Sequence, residues 1–212
     1  MESELTRFYF VRHGETDNNL EGKAQGLIDT DLNATGRGQA ERVPYFFDNQ
    51  NISAIYSSPA SRATSTAAPL SIKSGIPISV DERLVEMDQG DYDGLSREEM
   101  RSVIPSDWLE TWRNQDPTDL RIPNGETLGE VRDRMVETCD ELALRHTGQA
   151  IVIFSHNLAI KTFLCHALGI SLSNFRRIDL ANCSLSEVET VPGDYWMVSR
   201  INQVIEAQIP HR

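Results

Sequence analysis

Three short apolar runs, each stopping abruptly at residues suited to holding an anion, constrain this chain more than any other feature. Phe8 to Val11 ends in Arg12-His13 and turns at Gly14, Ile52 to Tyr56 ends in Ser57-Ser58-Pro59, and Ala150 to Phe154 ends in Ser155-His156. The runs are short, rich in Ile, Val, Phe or Tyr, and continuous rather than alternating. They read as strands buried on both faces, the pattern of a parallel sheet covered by helices.

Helical signals lie between the runs. Asn33 can cap a helix from about Thr35 to Phe47, which Pro44 should kink or limit. Ser58 followed by Pro59 reads as a cap with proline at the first helical position, opening a helix that carries Arg62 and that Pro69 bends or ends. Ser96 with Glu99, and Thr127 with Glu130, match capping boxes. After Thr127, the residues Val131, Met135, Leu142 and His146 share one helical face. Asn157 to Leu168 reads as a helix stopped by Gly169, and Ser184 to Val191 with Tyr195 to Ile201 as strands joined at Pro192-Gly193. The expected fold is a three-layer α/β/α sandwich with a mostly parallel sheet and an antiparallel edge. One domain spans residues 1–212, and the polar, Trp-containing segment Leu95 to Gly125 is a candidate cap or lid within it.

Charge narrows the possible partners. The chain has 32 acidic against 20 basic residues, a net charge of −12, which disfavours nucleic acid and anionic membranes as partners. No apolar run is long enough to span a bilayer, and Met1 to Arg7 lacks signal-peptide order, so the expectation is a cytoplasmic protein. Cys139, Cys165 and Cys183 form no Cys-x-x-Cys pair and read as buried or half-buried free thiols. No carboxylate and histidine cluster has metal-ligand spacing, so neither metal nor cofactor is expected.

An anionic ligand would need a local positive pocket, and the strand ends supply one. Open α/β sheets bind ligands at the carboxyl ends of their strands. Arg12-His13, Arg62 and His156 all fall at such ends, so two arginines and two histidines gather at one sheet edge. Arginine's planar fork of donors matches phosphate oxygens, and the start of the helix after Pro59 would add N–H groups.

At these residues a family resemblance emerges. Arg12-His13-Gly14-Glu15-Thr16 resembles the signature of the histidine phosphatase superfamily, branch 1, also called the phosphoglycerate mutase-like family. Asn19, Glu21-Gly22, Gln25-Gly26, Leu32, Gly36 and Gln39-Ala40 stand as in its N-terminal block. Ser57-Ser58-Pro59 with Arg62-Ala63 and Thr66-Ala67, then Leu84 and Glu86 with Gly90 and Asp93-Gly94, resemble the next blocks. Pro123 to Thr127 and Ser155-His156 complete the order.

The resemblance implies roles. His13 would attack phosphorus and become phosphohistidine, while Arg12, Arg62 and His156 hold the phosphoryl oxygens. Glu86 would protonate the leaving oxygen and then help activate water, with Glu82 and Asp88 as alternatives. Asn19 would assist phosphate binding, and Gln25 and Gly26 would border the substrate, although Gln25 also fits a plain loop residue. Asn157 stands where the family usually has glycine, at a backbone N–H that often touches phosphate. Asparagine tolerates unusual backbone angles, and its side chain can narrow the pocket.

The remaining motifs read as structural. His146, His166 and His211 have no partners at motif spacing, Arg176-Arg177 reads as a solvated pair, and Trp108, Trp112 and Trp196 read as packing residues. The expected function is a metal-independent phosphatase acting on a small phosphate monoester. The alternatives are a phosphoglycerate mutase-type transfer and a non-catalytic phospho-ligand module. The resemblance favours hydrolysis, because the family's glycolytic mutases carry a longer insertion before the Gly125-Glu126 block. The expected partner is a small phosphorylated substrate, and a homodimer is left open.

Overall fold

The computed structural model describes residues 5–204. Six strands form one sheet: β1 (Thr6–Arg12), β2 (Ile52–Ser57), β3 (Ile78–Val80), β4 (Ala150–Ser155), β5 (Leu185–Thr190) and β6 (Trp196–Gln203). Their order is β3-β2-β4-β1-β5-β6, with the first four parallel and the last two antiparallel. The eight helices among the described residues are α1 (Asp17–Glu21), α2 (Ala34–Ala40), α3 (Val43–Phe46), α4 (Ser61–Ser74), α5 (Arg97–Val103), α6 (Ser106–Asn114), α7 (Leu128–Arg145) and α8 (Asn157–Ala167).

The pleat of the central strands builds the layers, because successive side chains point to opposite faces. Phe8, Phe10, Ile151 and Ile153 pack with Val131 and Met135 of α7 and Ile160 and Phe163 of α8. Tyr9, Val11, Val152 and Phe154 pack with Val43 of α3 and Ala67 and Leu70 of α4. Strands buried on both faces cannot alternate in polarity, hence the continuous apolar runs. The fold is the expected three-layer sandwich with an antiparallel edge. β3 escapes a sequence reading because it has only three residues, none of them buried.

Several local expectations need correction. The helix expected over Thr35 to Phe47 is two helices. Pro44 has no N–H to return to the carbonyl of Ala40, so the chain breaks there and restarts with Pro44 in the first turn of α3. Ser58 and Pro59 do not open α4, which starts at Ser61 after Ala60. Pro69 does not end α4 either. The helix runs on to Ser74, and the carbonyl that Pro69 leaves without a donor belongs to the exposed Ser65. Both capping boxes form as expected, at Ser96–Glu99 and Thr127–Glu130. Gly169 takes a left-handed φ of 64° just after α8.

Register then sets the floor of a pocket. Arg12 pairs with Ser155 and Ser57 with Phe154, so β1, β4 and β2 end level. The next residues keep the ladder going, as His13 N–H donates to Ser155 O (3.0 Å) and Ser58 N–H to Phe154 O (3.0 Å). His13, Ser58 and His156 therefore leave three adjacent strands at one edge.

Candidate active site

His13 is buried, and its ring is fixed by its own neighbour. Nδ1 lies 2.7 Å from the carbonyl oxygen of Gly14, which can only accept. Nδ1 therefore carries the hydrogen, and Nε2 keeps its lone pair. The turn is locked from outside: Gly14 N–H donates to Thr66 Oγ1 (2.9 Å), and Asn182 Nδ2 donates to His13 O (3.1 Å). Burial pushes the His13 pKa well below the usual histidine value, and the charges of Arg12 and Arg62 push it further down. The ring is held neutral.

His156 stands across from it, with ring centroids 5.2 Å apart. Arg62 Nε donates to His156 Nδ1 (3.2 Å), which leaves the hydrogen on Nε2 to donate to Ser58 Oγ (2.8 Å). Burial, then Arg62, then His13 hold the His156 pKa well below its usual value. Arg62 is 1% exposed and is anchored by Gly26 O (2.7 Å from Nη2) and Ile28 O (2.9 Å from Nη1). Its Nη2 keeps a second N–H. Arg12 donates to Leu180 O (2.5 Å), while its buried Nε–H has no acceptor among the described residues. A phosphoryl oxygen can satisfy such donors.

Glu86 is buried at the N-terminus of α8. Its Oε1 accepts from the N–H groups of Met87 (2.9 Å), Leu158 (3.1 Å) and Ala159 (3.1 Å), and Oε2 shares Leu158 N–H (3.1 Å). Oε1 is thus saturated, whereas Oε2 keeps room for a proton. Gly26, Arg62, Glu86 and His156 line one cavity of about 270 Å³. Of the two alternatives to Glu86, Glu82 is exposed at the rim of that cavity, and Asp88 is committed to Gly90 N–H (2.8 Å).

The family model of the histidine phosphatase superfamily (branch 1) matches residues 8–203. The chain belongs to that superfamily. The chain is 30% identical to "Phosphoserine phosphatase 1" of Hydrogenobacter thermophilus, over 87% of this chain and 86% of that protein. It is 32% identical to "Probable phosphoglycerate mutase GpmB" of Serratia proteamaculans, over 97% of each. Among solved structures it superposes on Bacillus stearothermophilus YhfR with a TM-score of 0.87 and 30% identity, covering 95% of this chain and all of that one (100%).

The other expected residues are positioned as follows. Asn19 sits in the capping box of α1, and its Oδ1 accepts from Asn182 Nδ2 (3.0 Å). Donor–acceptor matching sets the Gln25 amide with its nitrogen on Thr16 Oγ1 (2.8 Å) and its oxygen near Arg62 Nη1 (3.3 Å). Gly26 serves through its carbonyl. Asn157 is the first helical residue of α8, and its φ is not positive, so asparagine's tolerance of unusual angles is not needed. The N-terminus of α4 is not an open anion site, because the Asp29 carboxylate already accepts from Ser61 N–H (2.8 Å) and Oγ (2.5 Å).

Other residues gain a place at the site only in three dimensions. Arg134 of α7 bonds Glu126 (2.9 Å from Nε), Arg83 O and Val85 O (both 2.8 Å) and Glu86 O (3.1 Å), so it pins the loop that carries Glu86. Nothing in the sequence near Arg134 marks that reach. Lys161, one turn beyond Asn157, is half-buried, and burial and then Arg12 lower its pKa. His146 is structural, bonded to Tyr56 OH (2.8 Å), and His166 is exposed. His211 lies outside the described residues. The three cysteines are buried and free, and burial pushes the Cys183 thiol up to about 12.

Proposed function

We propose that this chain is a metal-independent phosphatase that hydrolyses a small phosphate monoester through phosphohistidine on His13. The observation that carries the reading is the Nδ1 bond from His13 to Gly14 O, which leaves a neutral ring with Nε2 free to attack. The relative named phosphoserine phosphatase supports hydrolysis as the reaction class.

The steps balance on residues of this chain. Arg12 and Arg62 hold the phosphoryl group, and His156 turns to it the Nε2–H that Ser58 Oγ accepts in the absence of ligand, with Asn19 and Asn157 beside it and Gln25 and Gly26 at the border. Nε2 of His13 forms the N–P bond as the ester O–P bond breaks, and the Glu86 carboxyl gives its proton to the leaving oxygen. The alcohol departs. The Glu86 carboxylate then takes a proton from water as that water attacks phosphorus, the N–P bond breaks, and neutral His13 returns with inorganic phosphate. The cationic groups stabilise charge on the equatorial oxygens throughout.

A phosphatase panel without added metal tests the reading, run on wild type and His13→Ala. Phosphate release is expected from wild type alone, with acid-labile label trapped on the protein from a radiolabelled ester. Activity that survives His13→Ala, or that requires a divalent ion, defeats it. The relative named as a probable phosphoglycerate mutase favours a second reading, transfer within phosphoglycerate. Incubation with 3-phosphoglycerate separates the two, since hydrolysis yields inorganic phosphate and a mutase yields 2-phosphoglycerate.

A further inference from the structure

The residues that lead into β5 wrap the back of the nucleophile. Arg12 N–H donates to Ser184 O (3.1 Å), Arg12 Nη1 donates to Leu180 O (2.5 Å), and Cys183 N–H reaches both Arg12 O (3.0 Å) and His13 O (3.2 Å). Cys183 takes a φ of 56°, a left-handed conformation that a residue with a side chain rarely adopts. Such an outlier persists only where its surroundings hold it, and here they are the backbone of Arg12 and His13. The wrap is fastened from the antiparallel edge. The β5–β6 ladder bulges between its Leu185–Gln203 and Glu187–Arg200 pairs, which leaves Asn202 with a φ of 58°. Asn202 Oδ1 accepts from Ala181 N–H (2.7 Å).

Asn182 stands at the centre of the wrap, and its amide has one possible orientation. Nδ2 lies 3.1 Å from His13 O and 3.0 Å from Asn19 Oδ1. A backbone carbonyl only accepts, so the atom facing it is the nitrogen. Asn19 Oδ1 is assigned on the same ground, since it also accepts from Thr16 N–H (3.2 Å), which only donates. Asn182 and Thr16 together hold the oxygen of Asn19 on the His13 side.

The nitrogen of Asn19 is thereby turned the other way, toward Arg62. The Gln25 amide separates the two: its oxygen lies 3.3 Å from Arg62 Nη1 and Nε, and its nitrogen lies 3.4 Å from Asn19 Nδ2. An amide nitrogen donates and does not accept, so Asn19 Nδ2 has no acceptor among the described residues. A pair of uncommitted N–H donors is left beside the arginine that holds the phosphoryl group.

We propose that Asn182 is a positioning residue of this site: it keeps the Asn19 oxygen turned away, so that Asn19 Nδ2 donates to a phosphoryl oxygen. Without Asn182 the Asn19 amide can turn over and present its oxygen, which repels a phosphoryl oxygen. This role rests on the reading of the sheet edge as a phosphatase site. His13 keeps its second tie, the Cys183 N–H, so the loss falls on phosphate binding more than on attack.

Titration calorimetry with inorganic phosphate tests it without turnover. Asn182→Ala is expected to weaken phosphate binding roughly tenfold, the loss of a hydrogen bond to a charged group. In an Asn19→Ala background the same substitution should weaken binding by less than about twofold, because Asn182 acts through Asn19. Wild-type affinity in Asn182→Ala, or an equal loss in both backgrounds, overturns the proposal. Asn182→Asp keeps the size of the side chain and exchanges the donor for an acceptor, so it should bind phosphate no better than Asn182→Ala; wild-type affinity there also overturns it. With 4-nitrophenyl phosphate, Asn182→Ala should raise KM about tenfold and lower kcat by less than about threefold. A fall in kcat with KM unchanged counts against the proposal. Coupled loss of phosphate binding in a protein that hydrolyses no ester would defeat the phosphatase reading and keep the positioning role. Hydrolysis that needs His13, with phosphate binding indifferent to Asn182, would do the reverse.

Discussion

The sheet edge and the segment of residues 95–125 treat their charged groups in opposite ways. At the edge, His13, Arg62, His156 and Glu86 each spend bonds on protein partners: Gly14 O, Gly26 O, Ser58 Oγ and three backbone N–H groups. In a cleft under α5 and α6, Arg176 has aromatic rings beneath it, and the lining holds no carboxylate. The first arrangement fixes geometry before a ligand arrives, which suits chemistry. The second leaves charge unspent, which suits recognition.

Edge variants should therefore lose rate on every ester. The largest loss is expected for His13→Ala, on the order of 10⁴ or more in kcat for all substrates, measured by phosphate release. A substrate-dependent loss there would break the comparison. Glu86→Gln should cost about 10²–10⁴ on an alkyl phosphate and far less on 4-nitrophenyl phosphate, whose leaving oxygen needs no proton. Equal losses on both would remove Glu86 as the acid.

Arg134→Ala should lower kcat on an alkyl phosphate by roughly 10²-fold with KM little changed, because the loop carrying Glu86 loses its pin. As with Glu86→Gln, the loss should shrink on 4-nitrophenyl phosphate. A loss independent of the leaving group would mean that Arg134 serves stability alone.

The next effect is on stability. His13 and His156 have folded pKa values below their unfolded ones, so the unfolded chain binds more protons as acid is added. Their contribution is full above about pH 6.5 and is lost as pH falls below it. Thermal scans from pH 7 to pH 5 should show Tm falling, with a shallower fall in His13→Gln.

The smallest effect contrasts two caps. Thr127→Ala should cost about 1 kcal/mol of global stability, since α7 packs across the sheet. Ser96→Ala caps α5, which has no buried residue, and should instead raise hydrogen exchange within α5 alone. A global loss from Ser96→Ala would show that the segment is part of the core.

Much of this was legible beforehand where one residue type or one spacing carries the signal. The three apolar runs announce strands buried on both faces, and β1, β2 and β4 appear with His13, Ser58 and His156 at their ends. Ser96–Glu99 and Thr127–Glu130 form the capping boxes that their spacing implies. Legibility fails where a group's role depends on what approaches it in space. Ser58 reads as a helix cap but binds His156, and the free helix end expected after Pro59 is taken by Asp29, 32 residues away. Arg176 reads as solvated but lies over Trp112.

The sequence by itself determined the reaction class this chain is suited to: a neutralisable histidine, two arginines and a second histidine at strand ends, in a family-specific order. Apolar runs and backbone register follow local rules, so they can be read along the chain. The tertiary structure decided which hydrogen each histidine carries, which oxygen of Glu86 has room for a proton, and that Arg134 pins the Glu86 loop. It also decided that four arginines, two of them on α5, share one acid-free cleft. Those outcomes depend on distances between residues far apart in the chain, which only packing sets.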